Sequence, residues 1–358
     1  LWVADMDFAT APFVTDAIRK RCENEVLGYT GKPDSYYNAI INWVKQRYDL
    51  IVTKEVINFV PGIVPGIGMA MNCFTQKGDK VMIQPPVYHP FAWVTTRNER
   101  TLVTNPLKWE NGMYRMDLDT FREQIKGCKL FILCNPHNPG GVVWTEAELR
   151  AIADICYDEK VLVFSDEIHA DLTLPPHTHR PFATVSEKAR MNSVTFMSPS
   201  KAFNMPGLSA SHALIFNEDL RKRFRIYMDA GELDMGHVFA FLSVEAAYSH
   251  GTEWLDQCLA YIQGNIDFVD DFLKNHAPKI KAIRPEASYL VWLDCRELKL
   301  SQKDLNEFFV DKAHLALNDG EMFGKEGIGF MRLNVASPRC IIEKAMKQLA
   351  DAYQLYIK

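Results

Sequence analysis

Four short apolar runs constrain this chain more than any other feature. They are Val81-Met82-Ile83, Leu130-Phe131-Ile132-Leu133-Cys134, Val161-Leu162-Val163-Phe164 and Val194-Thr195-Phe196-Met197. Each is too short for a core helix, and none alternates with polar residues, so each reads as a strand covered on both faces. Two further runs, Thr101–Thr104 and Ala213–Phe216, extend the set. Stretches of helical periodicity separate the runs, and that alternation predicts an α/β fold: a mostly parallel sheet flanked by helices. In such sheets ligands lie beyond the carboxyl ends of the strands. The runs end in polar or turn-forming clusters there, carrying Tyr88, Asn138, Asp166 and Lys201, so four separate loops should face one crevice.

With 358 residues, 47% of them hydrophobic, the chain can bury more than one core. Residues 28–252 are expected to form the large domain. Residues 253–358, with 1–27, should form a smaller α+β domain, since strands and helices mix there without the earlier regularity. Helices are expected over Pro12 to about Glu25, Asp34–Tyr48, Met69–Phe74, about Glu253–Asn275, Ser301–Ala313 and Cys340–Tyr356. The second should face the core with Tyr37, Ile40, Ile41 and Val44. Thr145 and Glu148 offer a capping box for a helix whose Leu149, Ile152, Ala153 and Cys156 share one face. Alternating Ser288–Asp294 and the run Gly329–Val335 read as strands of the small domain.

Forty Lys and Arg against 45 Asp and Glu give a net charge of −5, with no basic stripe to favour nucleic acid or an anionic membrane. No apolar run approaches the ~18 residues of a membrane span. The eight cysteines include no C-x-x-C pair and mostly sit in apolar runs, which suits reduced thiols of a cytoplasmic protein. A small-molecule partner is therefore expected. Since the chain opens on Leu1-Trp2-Val3, some preceding residues are expected to be missing.

The chemistry centres on Lys201, within Ser198-Pro199-Ser200-Lys201-Ala202-Phe203-Asn204. Alone, a strand-end lysine is more often a solvated charge. Partial burial would depress its pKa and free an amine that condenses with a carbonyl compound. Such an amine becomes catalytic when an electron sink is attached, which pyridoxal 5'-phosphate (PLP) supplies. PLP needs an amine for its aldehyde, a carboxylate for its ring nitrogen, a donor for its ring oxygen, a flat side chain on one face and an anion cradle. Lys201, Asp166, Asn138 and Tyr88 answer the first four. Gly62-Ile63-Val64-Pro65-Gly66, with Ser198 and Ser200, answers the last; it lacks the Gly-Lys-Ser/Thr ending of a P-loop, and alone it reads as a strand-to-helix turn. His169, His177 and His179 are near one another, but the Pro-rich setting of the last two argues against a metal site.

Asn135-Pro136-His137-Asn138-Pro139-Gly140-Gly141, Ser165-Asp166-Glu167-Ile168-His169 and Ser198 to Asn204, in that order, resemble fold-type I PLP enzymes, the aspartate aminotransferase superfamily. Trp2 to Phe8, Pro86 to Phe91 and Arg332 to Arg339 resemble its MalY/PatB-type cystathionine β-lyase branch. The resemblance covers the whole chain. It implies that Lys201 carries the cofactor and serves as base, Asp166 pairs with the ring nitrogen, Asn138 donates to the ring oxygen, and Tyr88 stacks. Arg332 would hold the substrate carboxylate, with Asn138 and Tyr88 nearby. Tyr29 would reach the neighbouring subunit's phosphate, which implies a homodimer. His169 stands where many aminotransferases have a tyrosine, Ser209 and Ser211 where many have an arginine, and Ile63-Val64 where a more hydroxylated loop is usual. The expected activity is β-elimination from cystathionine or a related S-substituted cysteine. The alternatives are an aminotransferase and, in another class, a regulatory protein that uses the PLP fold to bind a partner.

Overall fold

A computed structural model, which describes residues 1–356, lays the apolar runs side by side. Its strands are β1 (Ile57–Val60), β2 (Lys80–Ile83), β3 (Thr101–Thr104), the hairpin β4 (Lys108–Glu110) and β5 (Met113–Arg115), β6 (Cys128–Cys134), β7 (Leu162–Asp166), β8 (Ser193–Met197) and β9 (Ser211–Leu214). Seven form one sheet in the order β1-β9-β8-β7-β6-β2-β3. The five from β3 to β8 in that sheet are mutually parallel. The Ala213–Phe216 run departs from expectation: strand β9 begins at Ser211, stops at Leu214 and lies antiparallel to both β8 and β1. Every residue of β8 is buried, as are Leu130–Cys134 and Val163–Asp166, as strands covered on both faces require.

A second sheet, antiparallel throughout, contains β10 (Lys281–Ile283), β11 (Leu290–Asp294), β12 (Asn318–Asp319) and β13 (Phe330–Asn334) in the order β10-β11-β13-β12. Residues 1–8 run beside it. Asn334 donates its main-chain N–H to the Leu1 carbonyl, Asp7 donates to Ala336, and the Asn334 amide reaches the carbonyls of Val3 and Asp5.

The helices are α1 (Pro12–Cys22), α2 (Asp34–Tyr48), α3 (Ile63–Phe74), α4 (Pro90–Arg97), α5 (Leu118–Gln124), α6 (Glu146–Asp158), α7 (Glu187–Met191), α8 (Glu218–Ala230), α9 (Val238–His250), α10 (Thr252–His276), α11 (Gln302–Glu307) and α12 (Arg339–Tyr356). None is long and apolar enough to cross a membrane. The Thr145–Glu148 capping box forms as expected. Two expectations need correcting. The face of α2 is rotated: Tyr36, Ala39, Ile40, Trp43 and Val44 are buried, while Tyr37 and Ile41 are only partly covered. Trp43 stacks on Tyr248 of α9 with ring centres 4.9 Å apart, and its indole N–H donates to Asp171, so an aromatic side chain outcompetes Ile41 for the interior. Burial of such a side chain contributes roughly 1.5–3 kcal/mol. The expected Ser301–Ala313 helix ends at Glu307 and widens into a π turn over Phe308–Lys312.

Helix α3 also starts six residues earlier than its small-residue run suggests. Gly62, at φ +123°, turns the chain, and Ile63-Val64-Pro65 is already the first helical turn. Gly66 lets this turn press onto the sheet, since a Cβ there would sit 2.9 Å from the Val60 side chain and 3.2 Å from Phe196.

Candidate active site

Strand register assembles the site. Cys134 pairs with Asp166, and Asp166 with Phe196, so the loops after β6, β7 and β8 leave the sheet at one level. A cavity of about 210 Å³ opens there, and its lining includes Tyr88, Asn138, Asp166, His169, Ser200 and Lys201. Size does not single it out. A cavity of about 410 Å³ elsewhere contains Lys32 and Lys54, but these already pair with Asp234 and Asp34.

Lys201 is partly buried, and its Nζ donates to the main-chain carbonyl of Ala4, which also accepts the Tyr289 hydroxyl at 2.9 Å. Burial, helped by the nearby Arg332 charge, lowers the ammonium pKa to about 8, against the opposing pull of Asp5 and Asp166. A substantial fraction of the amine is therefore neutral and nucleophilic close to neutral pH.

Asp166 lies at the end of β7, and its Oδ1 accepts the Ile168 N–H at 3.1 Å. Burial raises its pKa to about 7; Glu167 adds to the rise, while the Ile168 bond and Lys201 oppose it. A carboxyl in that state favours an arriving cation that restores its charge. Beside it, His169 is buried with no partner for Nδ1, and burial followed by the Lys201 and Arg332 charges holds its pKa down at about 3. Its imidazole is thus neutral. Behind both, Glu167 accepts from the Ser165 hydroxyl, the Phe182 N–H and His179 Nε2, each at 2.8 Å. His179 is thereby committed to a buried carboxylate, while His177 lies 3.7 Å from Glu286.

Arg332 is brought in from the second sheet and is only 3% exposed. Its Nη1 donates to Asn138 Oδ1 at 2.9 Å, which couples two residues that sequence separation keeps far apart. Its Nη2 donates to Asn318 Oδ1 at 2.6 Å and to the Trp2 carbonyl at 3.3 Å, and the guanidinium lies over the Phe323 ring. Burial lowers its pKa to about 10, so it remains charged at neutral pH.

The same lining includes Ile63, Val64 and Pro65, which form the first turn of α3, together with Ser200, Ser209 and Ser211. First-turn N–H groups have no intrahelical acceptor and suit an anion. Ser198 is not in the lining. Its hydroxyl lies 2.8 Å from the Ala210 carbonyl and 2.9 Å from Ser200 Oγ, so it positions Ser200 from behind. Tyr29 is also elsewhere: it is 97% exposed and borders a separate surface cavity with Leu27, Met235 and His237. Sequence reasoning missed Ala4, Tyr289 and Asn318. Ala4 acts through its carbonyl and carries no side-chain signal. Asn318 lies opposite Arg332 in the β12–β13 register.

These donors fit a PLP molecule. A depressed amine, a buried carboxyl without a cation, a neutral imidazole with an unpartnered nitrogen, a half-buried tyrosine ring and an anion-ready helical turn border one cavity.

The comparisons agree with this geometry. Residues 2–349 match the family described as aminotransferase class I and II. Cystathionine beta-lyase PatB of Bacillus subtilis (strain 168) is 38% identical over 354 residues, 98% of this chain and 92% of that protein. The crystal structure of cystalysin from Treponema denticola, which contains a pyridoxal 5'-phosphate cofactor, superposes with a TM-score of 0.97 at 35% identity, covering 100% of this chain and 91% of that one. A PLP-bound putative aminotransferase from Clostridium difficile 630 gives 0.96 at 41% identity, covering 99% and 92%. This chain belongs to the aminotransferase class I and II family.

Proposed function

We propose that the protein is a PLP-dependent carbon–sulfur β-lyase that converts cystathionine or a related S-substituted cysteine, with water, to a thiol, pyruvate and ammonia. The observation that carries this reading is the lowered-pKa amine of Lys201 sharing a cavity with the buried carboxyl of Asp166. The likeness over nearly the full length to a cystathionine beta-lyase and to cystalysin supports it.

When bound, PLP supplies an aldehyde for the amine and a sink for the electron pair left at Cα. Lys201 would be the attachment point, and Asp166 would keep a proton on the ring nitrogen. Asn138 and His169 would serve the ring oxygen, Tyr88 would cover one face, and the α3 turn with Ser200 would take the phosphate, Ser198 bracing Ser200. Arg332 holds the substrate carboxylate, with Asn138 and Tyr88 beside it, so that the Cα–H bond faces Lys201. The amine of Lys201 takes the Cα proton and delivers it to the departing thiolate. Proximity makes one lysine sufficient for both transfers. The cavity that holds the lysine is also lined by Ile63, Val64 and Pro206, nonpolar side chains that limit the water it admits.

The protein works as a cytoplasmic homodimer in this account. Tyr29, beside exposed Val26, Leu27 and Met235, contributes to the neighbouring subunit's phosphate site. Incubation with cystathionine tests the reaction. Pyruvate and thiol should form in equal amounts without a keto-acid acceptor; a strict requirement for an acceptor would make the protein an aminotransferase instead.

A further inference from the structure

Every hydrogen-bond acceptor around Arg332 is neutral. Asn138 and Asn318 supply amide oxygens, Trp2 supplies a carbonyl, and Phe323 supplies a ring face. Among the described residues Arg332 forms no ion pair, and its buried Nε has no partner at all. The acidic residue next to Asn318, Asp319, is engaged elsewhere: it accepts from the Gln302 and Asn306 amides at 2.6 and 2.5 Å, and from the Glu321 N–H at 2.8 Å. Arg296, by contrast, has both Nε and Nη2 on Asp294.

A buried guanidinium without a counter-ion carries an electrostatic cost that an arriving carboxylate relieves. A carboxylate in the protein would relieve it first and leave little for the ligand. The residue beside Arg332 therefore has to orient the guanidinium without neutralising it. Asn318 meets that requirement, because β12 places it directly opposite Arg332 and its Oδ1 takes one Nη2 hydrogen, while its amide nitrogen lies 3.9 Å from the Met322 sulfur.

We propose that Asn318 is a positioning and specificity residue: it fixes Arg332 through a neutral contact and thereby reserves the arginine's charge for the substrate α-carboxylate. This inference rests on the amino-acid lyase reading above.

The test uses the PLP-loaded enzyme and two reagents that attack the lysine-held cofactor, aminooxyacetate, which carries a carboxylate, and O-methylhydroxylamine, which does not. The rate of loss of visible absorption is measured for each. In the parent protein the carboxylate-bearing reagent should react faster. In Asn318→Asp that advantage should fall about tenfold or more, since two unit charges at contact interact strongly at protein dielectric values, while the O-methylhydroxylamine rate stays unchanged. KM for cystathionine should rise by a similar factor with kcat held within about threefold, and Asn318→Ser, still a neutral acceptor, should keep most of the advantage. Unchanged carboxylate preference in Asn318→Asp, or an equal loss with both reagents, overturns the proposal. No preference between the reagents in the parent protein overturns it as well, whereas a parent protein with no visible band fails at the lyase reading itself and takes this inference with it.

Discussion

At the sheet end of the cavity Asp166, Asn138 and His169 are buried, and adjacent strands of one chain fix where they stand. Elsewhere in the lining stand a helical turn and a few serines, while the tyrosine expected to complete the site, Tyr29, is 97% exposed in the same chain. The sheet end is thus self-contained, and its groups are strongly perturbed by desolvation. In our account the phosphate would rest on backbone N–H groups and on a second subunit. Chemistry that needs a tuned proton affinity would then be placed where burial can tune it, and anchoring, which needs only donors, would be left at an interface between subunits.

Five experiments can break or sharpen that contrast. The largest effect is expected from Asp166→Asn, which in our account removes the charge partner proposed for the ring nitrogen and should lower turnover by roughly 10³-fold in a steady-state assay, with the cofactor still attached. A loss below tenfold would deny the sheet end its role. Next, the rate at which cofactor-free protein captures PLP should follow the neutral fraction of Lys201. With a pKa of about 8, stopped-flow traces should speed up about fiftyfold from about pH 6 to pH 8 and level off above about pH 9. A profile still rising steeply above about pH 9 would mean that the lysine is not depressed.

Tyr29→Phe should weaken PLP binding about tenfold, the loss of one charge-assisted hydrogen bond, measured by fluorescence titration. The shared-site claim has its own readout. At a PLP concentration that leaves Tyr29→Ala dimers largely empty, mixed Lys201→Ala and Tyr29→Ala chains should form hybrids containing one intact site, restoring about a quarter of activity after subunit exchange. No recovery, despite proven exchange, would remove Tyr29 from the neighbouring site. The smallest effect is on stability. Cofactor-free folded protein keeps a proton on Asp166 up to about pH 7, whereas the unfolded chain releases it near the ordinary carboxylate value of 3.8. The folded state therefore binds more protons between those values, and stability falls as pH rises through that window. The slope is at most about 1.4 kcal/mol per pH unit, and the part due to Asp166 should vanish in Asp166→Asn when the two melting series are compared.

The same contrast explains what could be read from the sequence. Parallel strands buried on both faces leave uninterrupted apolar runs, so β6, β7 and β8 and the loops at their ends were visible, and with them Asn138, Asp166 and Lys201. Strand β9 was misplaced because its first two residues, Ser211 and His212, are polar yet fully buried, breaking the apolar signal. Ile63-Val64-Pro65 resembled a loop because Pro is tolerated in a first helical turn, where its missing N–H costs nothing. The contacts that Arg332 and Lys201 make with Asn318, Trp2 and Ala4 depend on strand register and main-chain carbonyls, to which side-chain patterns are blind. The contacts of the Ser198 hydroxyl with Ala210 and Ser200 depend on how the loop folds back, which residue type does not reveal.

The central claim is that one amine, that of Lys201, carries the cofactor. Reducing the PLP-loaded protein with borohydride, digesting it and mapping the peptides by mass spectrometry tests this without reference to activity. The account predicts a single phosphopyridoxyl group, on Lys201, and none in Lys201→Ala. A reduced adduct on any other lysine, with residue 201 unmodified, would contradict it.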